Sequence, residues 1–335
     1  MLKTYSRRQW LAQAAATGAL ATLGLPGTSL AKENWPAKPI RIVVPYAPGG
    51  PADAVARVLA EGLSGRLGQA VIVDNRPGAS GIVGTDAAVR AAPDGYTFLI
   101  SITSSMLINK FLYAKLPYDP EKDLALVSEI ALGPLVLVVH PSVPATTAPE
   151  LLAYIKQQKG KLSYGSWGAG STPHLAGFHM SKSQGADMVH VSYKGEAPML
   201  QDLLAGQIQM AFMTAMAAKA HAETGRVRLV GVTGEKRIDV LPSVPTFAEQ
   251  GLKDEAYRLV GFVGMAAPAN TPKEIIQRMS REVVALSSQA SVKDKIAAVG
   301  LFPSPSGTPE AFAASYKRDA PSWAALIKTA GVQLD

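Results

Sequence analysis

The chain has 335 residues, a formal net charge of +7, 47% hydrophobic residues and no cysteine. Disulfides, a cysteine nucleophile and a lipid-modified cysteine anchor are therefore excluded, and no basic run interleaved with aromatics points to nucleic acid. A chain of this length and apolar content can fill two hydrophobic cores, so two domains are the default.

Residues 1–31 read as a cleaved export leader. Lys3 and Ser6-Arg7-Arg8-Gln9-Trp10-Leu11 precede an alanine-rich apolar run, and Ser29-Leu30-Ala31 fits a small-x-small cleavage site. The apolar run falls short of the roughly 20 residues that a bilayer span needs. The arginine pair suits the twin-arginine route, with an ordinary Sec leader as the alternative. Removing Lys3, Arg7 and Arg8 leaves 30 basic and 26 acidic side chains, a net +4, which is a mild bias towards anionic partners. The mature chain, starting near Lys32, is expected in the periplasm without a membrane anchor.

Beyond the leader, short β-branched apolar runs at 40–44, 70–73, 97–102, 135–139, 227–233 and 259–266 predict strands of a parallel sheet buried on both faces. Helical spacing falls between them, as in Val55, Val58, Leu59 and Leu63, and in Leu200, Leu203 and Leu204. This alternation predicts an α/β fold. After Thr271-Pro272-Lys273-Glu274, a predicted capping box, the stripe Ile275, Ile276, Met279, Val283 and Leu286 predicts a helix. Two more helices, at 292–299 and 309–327, are expected to pack back onto a sheet. No flexible linker is visible, so the chain is expected to cross between domains through the strands at 135–139 and 259–266.

Two segments share one grammar. In IRIVVPYAPGGPAD (40–53) and LSYGSWGAGSTPH (162–174), an apolar strand enters a glycine-rich loop that opens a helix with proline in its first turn. Gly50-Pro51 and Thr172-Pro173 each read as N-cap and N1, which puts Asp53 near N3 and His174 near N2. Facing helix starts of this kind offer free N–H groups and positive dipole ends to a carboxylate. Asp53 and His174 can equally serve as helix caps, Trp167 as packing between domains, and Lys194 as a solvated charge.

Other chemistries fit poorly. His174 and His179 are five apart and lack a third metal ligand nearby, so no metal is expected. Tyr164-Gly165-Ser166-Trp167-Gly168 lacks the first glycine of a nucleophile elbow, and the last histidine is His221, which leaves a serine hydrolase on Ser166 as a remote alternative. Gly78, Gly81 and Gly84 have the wrong spacing for a dinucleotide loop, so no cofactor is expected.

The ordered segments PAKPIRIVVPYAPGGPAD, VDNRPGASGIVG, APDGYTFLI, LPYDPEKDL, KLSYGSWGAGSTPHLAG, HVSYKGEAPMLQDLLAGQIQ, VTGEKRIDVLPSVPTFAEQGL and APANTPKEI resemble the solute-binding proteins of tripartite tricarboxylate transporters, the Bug family, over essentially all of residues 35–335. The resemblance implies a monomeric two-lobed periplasmic binding protein fold of type II. Each lobe would be a mixed, mostly parallel sheet flanked by helices, with residues 32–134 plus 260–335 as lobe 1, residues 135–259 as lobe 2, and the ligand cleft between them. It also implies a small organic carboxylate as ligand and two membrane subunits as transport partners, or a signalling partner if the protein serves as a solute sensor.

By the same resemblance the ligand carboxylate is held by the loop from Tyr46 to Asp53, matched at Pro48, Gly49, Gly50 and Asp53, and by a second loop matched at Ser166, Gly168, Gly170, Ser171 and His174. Lys194, within Tyr193-Lys194-Gly195, lines the same cleft, and the loop from Thr103 to Ser105 borders it. This chain departs from the family at Ala52, at Trp167, and at Met213 and Thr214, where many relatives carry an Asp-Asn pair. The missing acid predicts a ligand without an ammonium group, with an uncharged or aromatic body resting on Trp167 and Met213.

Overall fold

Every residue of β1 (Ile40–Val44) except Arg41 is buried, as suits a strand rich in β-branched residues inside a sheet covered on both faces. The computed structural model that contains this strand describes residues 35–304 and 307–334, and the expected leader lies outside them. Residues 38–335 form one unit. Its elements follow in order: β1, α1 (Pro51–Leu67), β2 (Val71–Asn75), α2 (Ile82–Val89), β3 (Thr97–Ile102), a π-helical turn (Ser104–Ile108) running into α3 (Asn109–Leu112), α4 (Pro120–Asp123), β4 (Leu124–Gly133), β5 (Leu135–Val139), α5 (Ala148–Gln157), β6 (Ser163–Ser166), α6 (Thr172–Gln184), β7 (Val189–Ser192), α7 (Glu196–Leu204), β8 (Met210–Thr214), α8 (Ala215–Ala222), β9 (Arg228–Val232), α9 (Glu255–Arg258), β10 (Gly261–Pro268), α10 (Lys273–Ser287), α11 (Ala290–Ala297), β11 (Phe302–Pro303) and α12 (Pro309–Ala330).

The strands form two mixed sheets, ordered β11-β4-β10-β3-β1-β2 and β7-β6-β8-β5-β9, and this is a two-lobed α/β fold. In the first, β1 pairs in parallel with β2 and β3. In the second, β6 pairs in parallel with β7 and β8. The runs at 135–139 and 259–266 read in sequence as parallel-sheet strands, but β5 and β10 run antiparallel to their neighbours. Apolar burial on both faces, which prompted the prediction, is the same for either direction. In β5, Leu135, Leu137 and Val139 enter one core while Val136 and Val138 enter the other, the period-two alternation of a strand.

Each sheet reverses its winding at one place. The chain leaves β1 through α1 to β2 on one side, then returns through α2 to β3 on the other. It likewise leaves β6 through α6 to β7 and returns through α7 to β8. The carboxyl ends of β1 and β3, and of β6 and β8, therefore flank a crevice, the place where open α/β sheets bind ligands.

The chain passes between the sheets twice, from β4 through Pro134 into β5 and from β9 back into β10. A threonine hydroxyl holds the start of each crossing strand. Thr233 Oγ1 accepts from the Leu135 N–H at 2.8 Å, and Thr103 Oγ1 accepts from the Phe262 N–H at 2.6 Å. Thr103, expected to border the ligand, is buried and spent on this contact.

At the C-terminal end, α12 lays Phe312, Tyr316, Trp323 and Ile327 into the core beneath the first sheet. Gly264 on β10 makes room, since a Cβ there would lie 2.6 Å from the Phe312 ring. α10 begins at Lys273 with Pro272 as N-cap and no side-chain cap bond, so the capping box predicted there does not form. β4 escapes prediction because its sequence, LALVSEIALG, is rich in helix formers and carries Glu129. That buried carboxylate accepts from Ser304 Oγ at 2.7 Å and Ser315 Oγ at 2.8 Å.

Replacing Thr103 with valine keeps the shape but strands the buried Phe262 N–H. Urea unfolding of Thr103→Val is expected to show a loss of about 1–3 kcal/mol, and an unchanged midpoint would remove Thr103 as a strut of the crossing.

Candidate functional site

The loop after β1 runs to Gly50, the extended N-cap of α1, with Pro51 at N1. Asp53, at N3, is buried and turned back on the loop. Its Oδ2 accepts from the Gly49 N–H and from Arg57 Nε, both at 2.9 Å, and its Oδ1 accepts from Asn75 Nδ2 at 2.9 Å. Burial by itself would raise the pKa of this carboxyl, but the hydrogen bonds from Arg57, Gly49 and Asn75 outweigh it and hold it below the ordinary value. Gly49 has φ +91°, a conformation natural only to glycine. The N–H groups of Gly50, Ala52 and Asp53 find no acceptor among the described residues.

The loop after β6 repeats this plan one turn of sequence logic later. Ser171, and not Thr172, is the N-cap of α6, so Pro173 sits at N2 and His174 at N3. His174 Nδ1 accepts from the Gly170 N–H at 2.9 Å, the same reach from N3 to a positive-φ glycine four residues back. The contact requires a neutral ring with its proton on Nε2. Burial, with His190 adding to it, pushes the pKa of His174 down to about 4. The N–H groups of Thr172 and His174 find no acceptor among the described residues.

Beneath this loop lies a polar cluster. The His174 ring stacks on His190 with centroids 3.9 Å apart, and His190 Nε2 lies 2.7 Å from Ser166 Oγ. Ser166 Oγ also accepts from the Gly168 N–H at 3.2 Å and lies 3.0 Å from the Gly168 carbonyl, which takes a further bond from Ser171 Oγ at 2.6 Å. A serine–histidine contact thus exists that sequence spacing concealed. Ser166 is fully buried and ties its own loop together, so no exposed nucleophile results.

The remaining expected residues divide. Pro48 and Gly49 are exposed, and a Cβ at Gly49 or Gly168 would meet nothing. Gly170 instead abuts Leu112 of α3, so the space beside it is filled by the first lobe and is not open to a ligand. Tyr46 packs its ring against Gly81 and Ser105, and burial pushes its pKa up to about 12, with Ser105 and Ser101 offsetting part of the rise. Ser105 is buried, bonded to Ser101 Oγ, and its carbonyl accepts from Tyr118 Oη at 2.7 Å. Neither the Thr103 nor the Ser105 hydroxyl is therefore open.

Met213 is wholly enclosed in a core, and Trp167 packs against both cores of the second sheet. The apolar platform expected from these two side chains does not form at Met213, because β8 turns it inward. Lys194 is exposed. Thr214 donates from its N–H at 2.9 Å and its Oγ1 at 3.0 Å to Glu196 Oε1. The acid missing from the end of β8 in sequence is therefore supplied in space from the start of α7, which removes the reason for expecting a ligand without an ammonium group. Glu196, His190 and Asn75 were not singled out in the sequence, and only the position of Glu196 directly after Gly195 could have signalled it.

Two parallel crevices, each closed by a glycine loop and a helix start with unpaired amides, are the anatomy of a two-lobed solute-binding protein. The model of the tripartite tricarboxylate transporter family receptor, TctC, matches residues 55–328. BugT of Bordetella pertussis (strain Tohama I) is 32% identical over 316 residues, spanning 94% of this chain and 96% of BugT. The solved structure of R. palustris Rpa4515 with adipate has a TM-score of 0.79 and 33% identity, covering 90% of this chain and 99% of that one. MatC from Rhodopseudomonas palustris with bound malate has a TM-score of 0.75 and 26% identity, covering 88% and 100%. The chain belongs to the TctC receptor family. The matched family is one of receptors, and two of these structural neighbours hold adipate and malate.

The depressed pKa of His174 has a sign that can be read in stability. The unfolded imidazole, titrating at about 6.5, binds a proton that the folded one refuses until about 4, so stability is expected to fall as pH drops through that window. His179 and His190 are shifted in the same direction, both by burial. Urea unfolding from pH 7.5 to 4.5 should follow this decline. In His174→Asn, whose amide oxygen can replace Nδ1, the decline should be shallower, and an identical slope would show that the ring is not the titrating group.

Proposed function

We propose that the chain is the periplasmic receptor of a tripartite tricarboxylate-type secondary transporter and captures a small organic carboxylate. The reading rests on one observation: both switch-point loops turn the N3 side chain back onto a glycine amide and leave the next helical amides unpaired. The adipate and malate held by two family members support the ligand class.

In this reading the carboxylate accepts from the Ala52 and Asp53 amides of the first loop and the Thr172 and His174 amides of the second. The side chains of Asp53 and His174 hold the loops and do not touch the ligand. Charge-assisted hydrogen bonds contribute about 1.5–3 kcal/mol each, so three or four of them reach the roughly 8 kcal/mol of micromolar binding after ordering costs. Residues 32–134 plus 260–335 act as one lobe and 135–259 as the other, swinging about the two crossings that Thr103 and Thr233 anchor. Among the described residues no helix is long and apolar enough to cross a membrane. The receptor works as an exported monomer that delivers its cargo to separate membrane subunits.

Calorimetry of the mature protein against adipate, malate, simple monocarboxylates and amino-bearing carboxylates tests this. At least one is expected to bind, and silence across the panel would overturn the reading. Ala52→Pro removes one amide donor at a helical position where α6 itself carries proline. It is expected to weaken carboxylate binding by about tenfold or more, with the thermal midpoint measured alongside. Unaltered affinity would take the first loop out of the site.

A further inference from the structure

Glu196 is the first residue of α7, yet its carboxylate does not cap that helix. Oε1 accepts from both donors of Thr214, at 2.9 Å and 3.0 Å, at the carboxyl end of β8. Because β8 and β6 flank the second crevice, Glu196 stands across it from the loop that begins at Ser166. Its Oε2 takes no hydrogen bond from any described residue and is not among the fully enclosed unpaired atoms.

The electrostatic setting is unusual for a structural acid. Burial raises the pKa of Glu196, and among the described residues only Thr214 opposes the rise and no cationic side chain contributes. A partly desolvated carboxylate without a counter-ion is costly to hold. A helix-capping acid would spend its oxygens on its own first-turn amides, and a purely structural link to Thr214 needs only an amide oxygen, which glutamine also provides. The charge is surplus to the fold.

We propose that Glu196 is the specificity-determining residue of the ligand site, selecting carboxylates that also carry an ammonium group and rejecting a second carboxylate at that end of the crevice. The inference rests on the carboxylate-receptor reading. A ligand ammonium supplies the missing counter-ion as the crevice closes. A second ligand carboxylate meets a like charge in a setting of reduced dielectric, where repulsion is stronger than in water.

Matched ligand pairs separate the possibilities: γ-aminobutyrate against succinate, ε-aminocaproate against adipate, and norvaline against pentanoate, each titrated calorimetrically into the mature protein and into Glu196→Gln. The amine-bearing member of at least one pair is expected to bind the natural chain about tenfold or more tightly than its partner. Glu196→Gln should erase that preference while leaving the thermal midpoint near its original value, because the Thr214 bonds persist. Should the glutamine variant unfold, Thr214→Val gives the second arm, because losing one of the two bonds to Oε1 should still shift the preference within the same pair. Equal or tighter binding of the dicarboxylates and of pentanoate, or a preference that survives in the folded variants, would overturn the inference alone. Failure of every pair, and of malate, would overturn the carboxylate reading and this inference with it.

Discussion

A side chain at the third helical position, hydrogen-bonded to a glycine amide four residues earlier, is the constraint on which both halves of the site depend. In the first loop an ionised carboxylate does this, Asp53 to Gly49, and in the second a neutral imidazole does it, His174 to Gly170. The chemistry differs but the mechanical result is the same. The glycine is held at positive φ, the chain enters the helix extended, and the first free amides point out from the carboxyl end of a strand. A helix start offers its donors to a solute only if the loop before it cannot fold over them. Each clamp is itself braced, Asp53 by Arg57 and Asn75, and His174 by stacking on His190.

The same economy governs the passage between lobes. Thr233 accepts from the first amide of β5 and Thr103 from the second amide of β10, where the chain leaves one sheet for the other. Because a buried unsatisfied amide is costly, these hydroxyls stabilise both crossings. The contact of Leu112 with Gly170 carries the complementary message, since glycine there lets the lobes approach closely.

Charge within the site is unevenly compensated. Asp53 has a cation, an amide and a side-chain amide around it, and its pKa falls, whereas Glu196 has only the Thr214 donors and its pKa rises. The first carboxylate is consumed by structure. The second has only the Thr214 donors to set against its burial.

The sequence by itself determined the α/β alternation, the two glycine loops with proline in the helix starts, and the family, because hydrophobic period, turn chemistry and ordered motifs are local properties. It could place Asp53 at N3 because proline marks the first helical position, but it set the α6 start one residue late, since Thr172 and Ser171 are both acceptable caps. Only the tertiary structure decided which groups face the cleft. Strand direction turned Met213 into the core, the β3–β10 junction consumed Thr103, and the packing of α3 closed the space beside Gly170. The pairing of β6 with β7 brought His190 to Ser166, and the return of α7 to β8 brought Glu196 to Thr214. These contacts join residues far apart in the chain, and no periodicity or spacing along the sequence encodes which of two buried faces a side chain will meet.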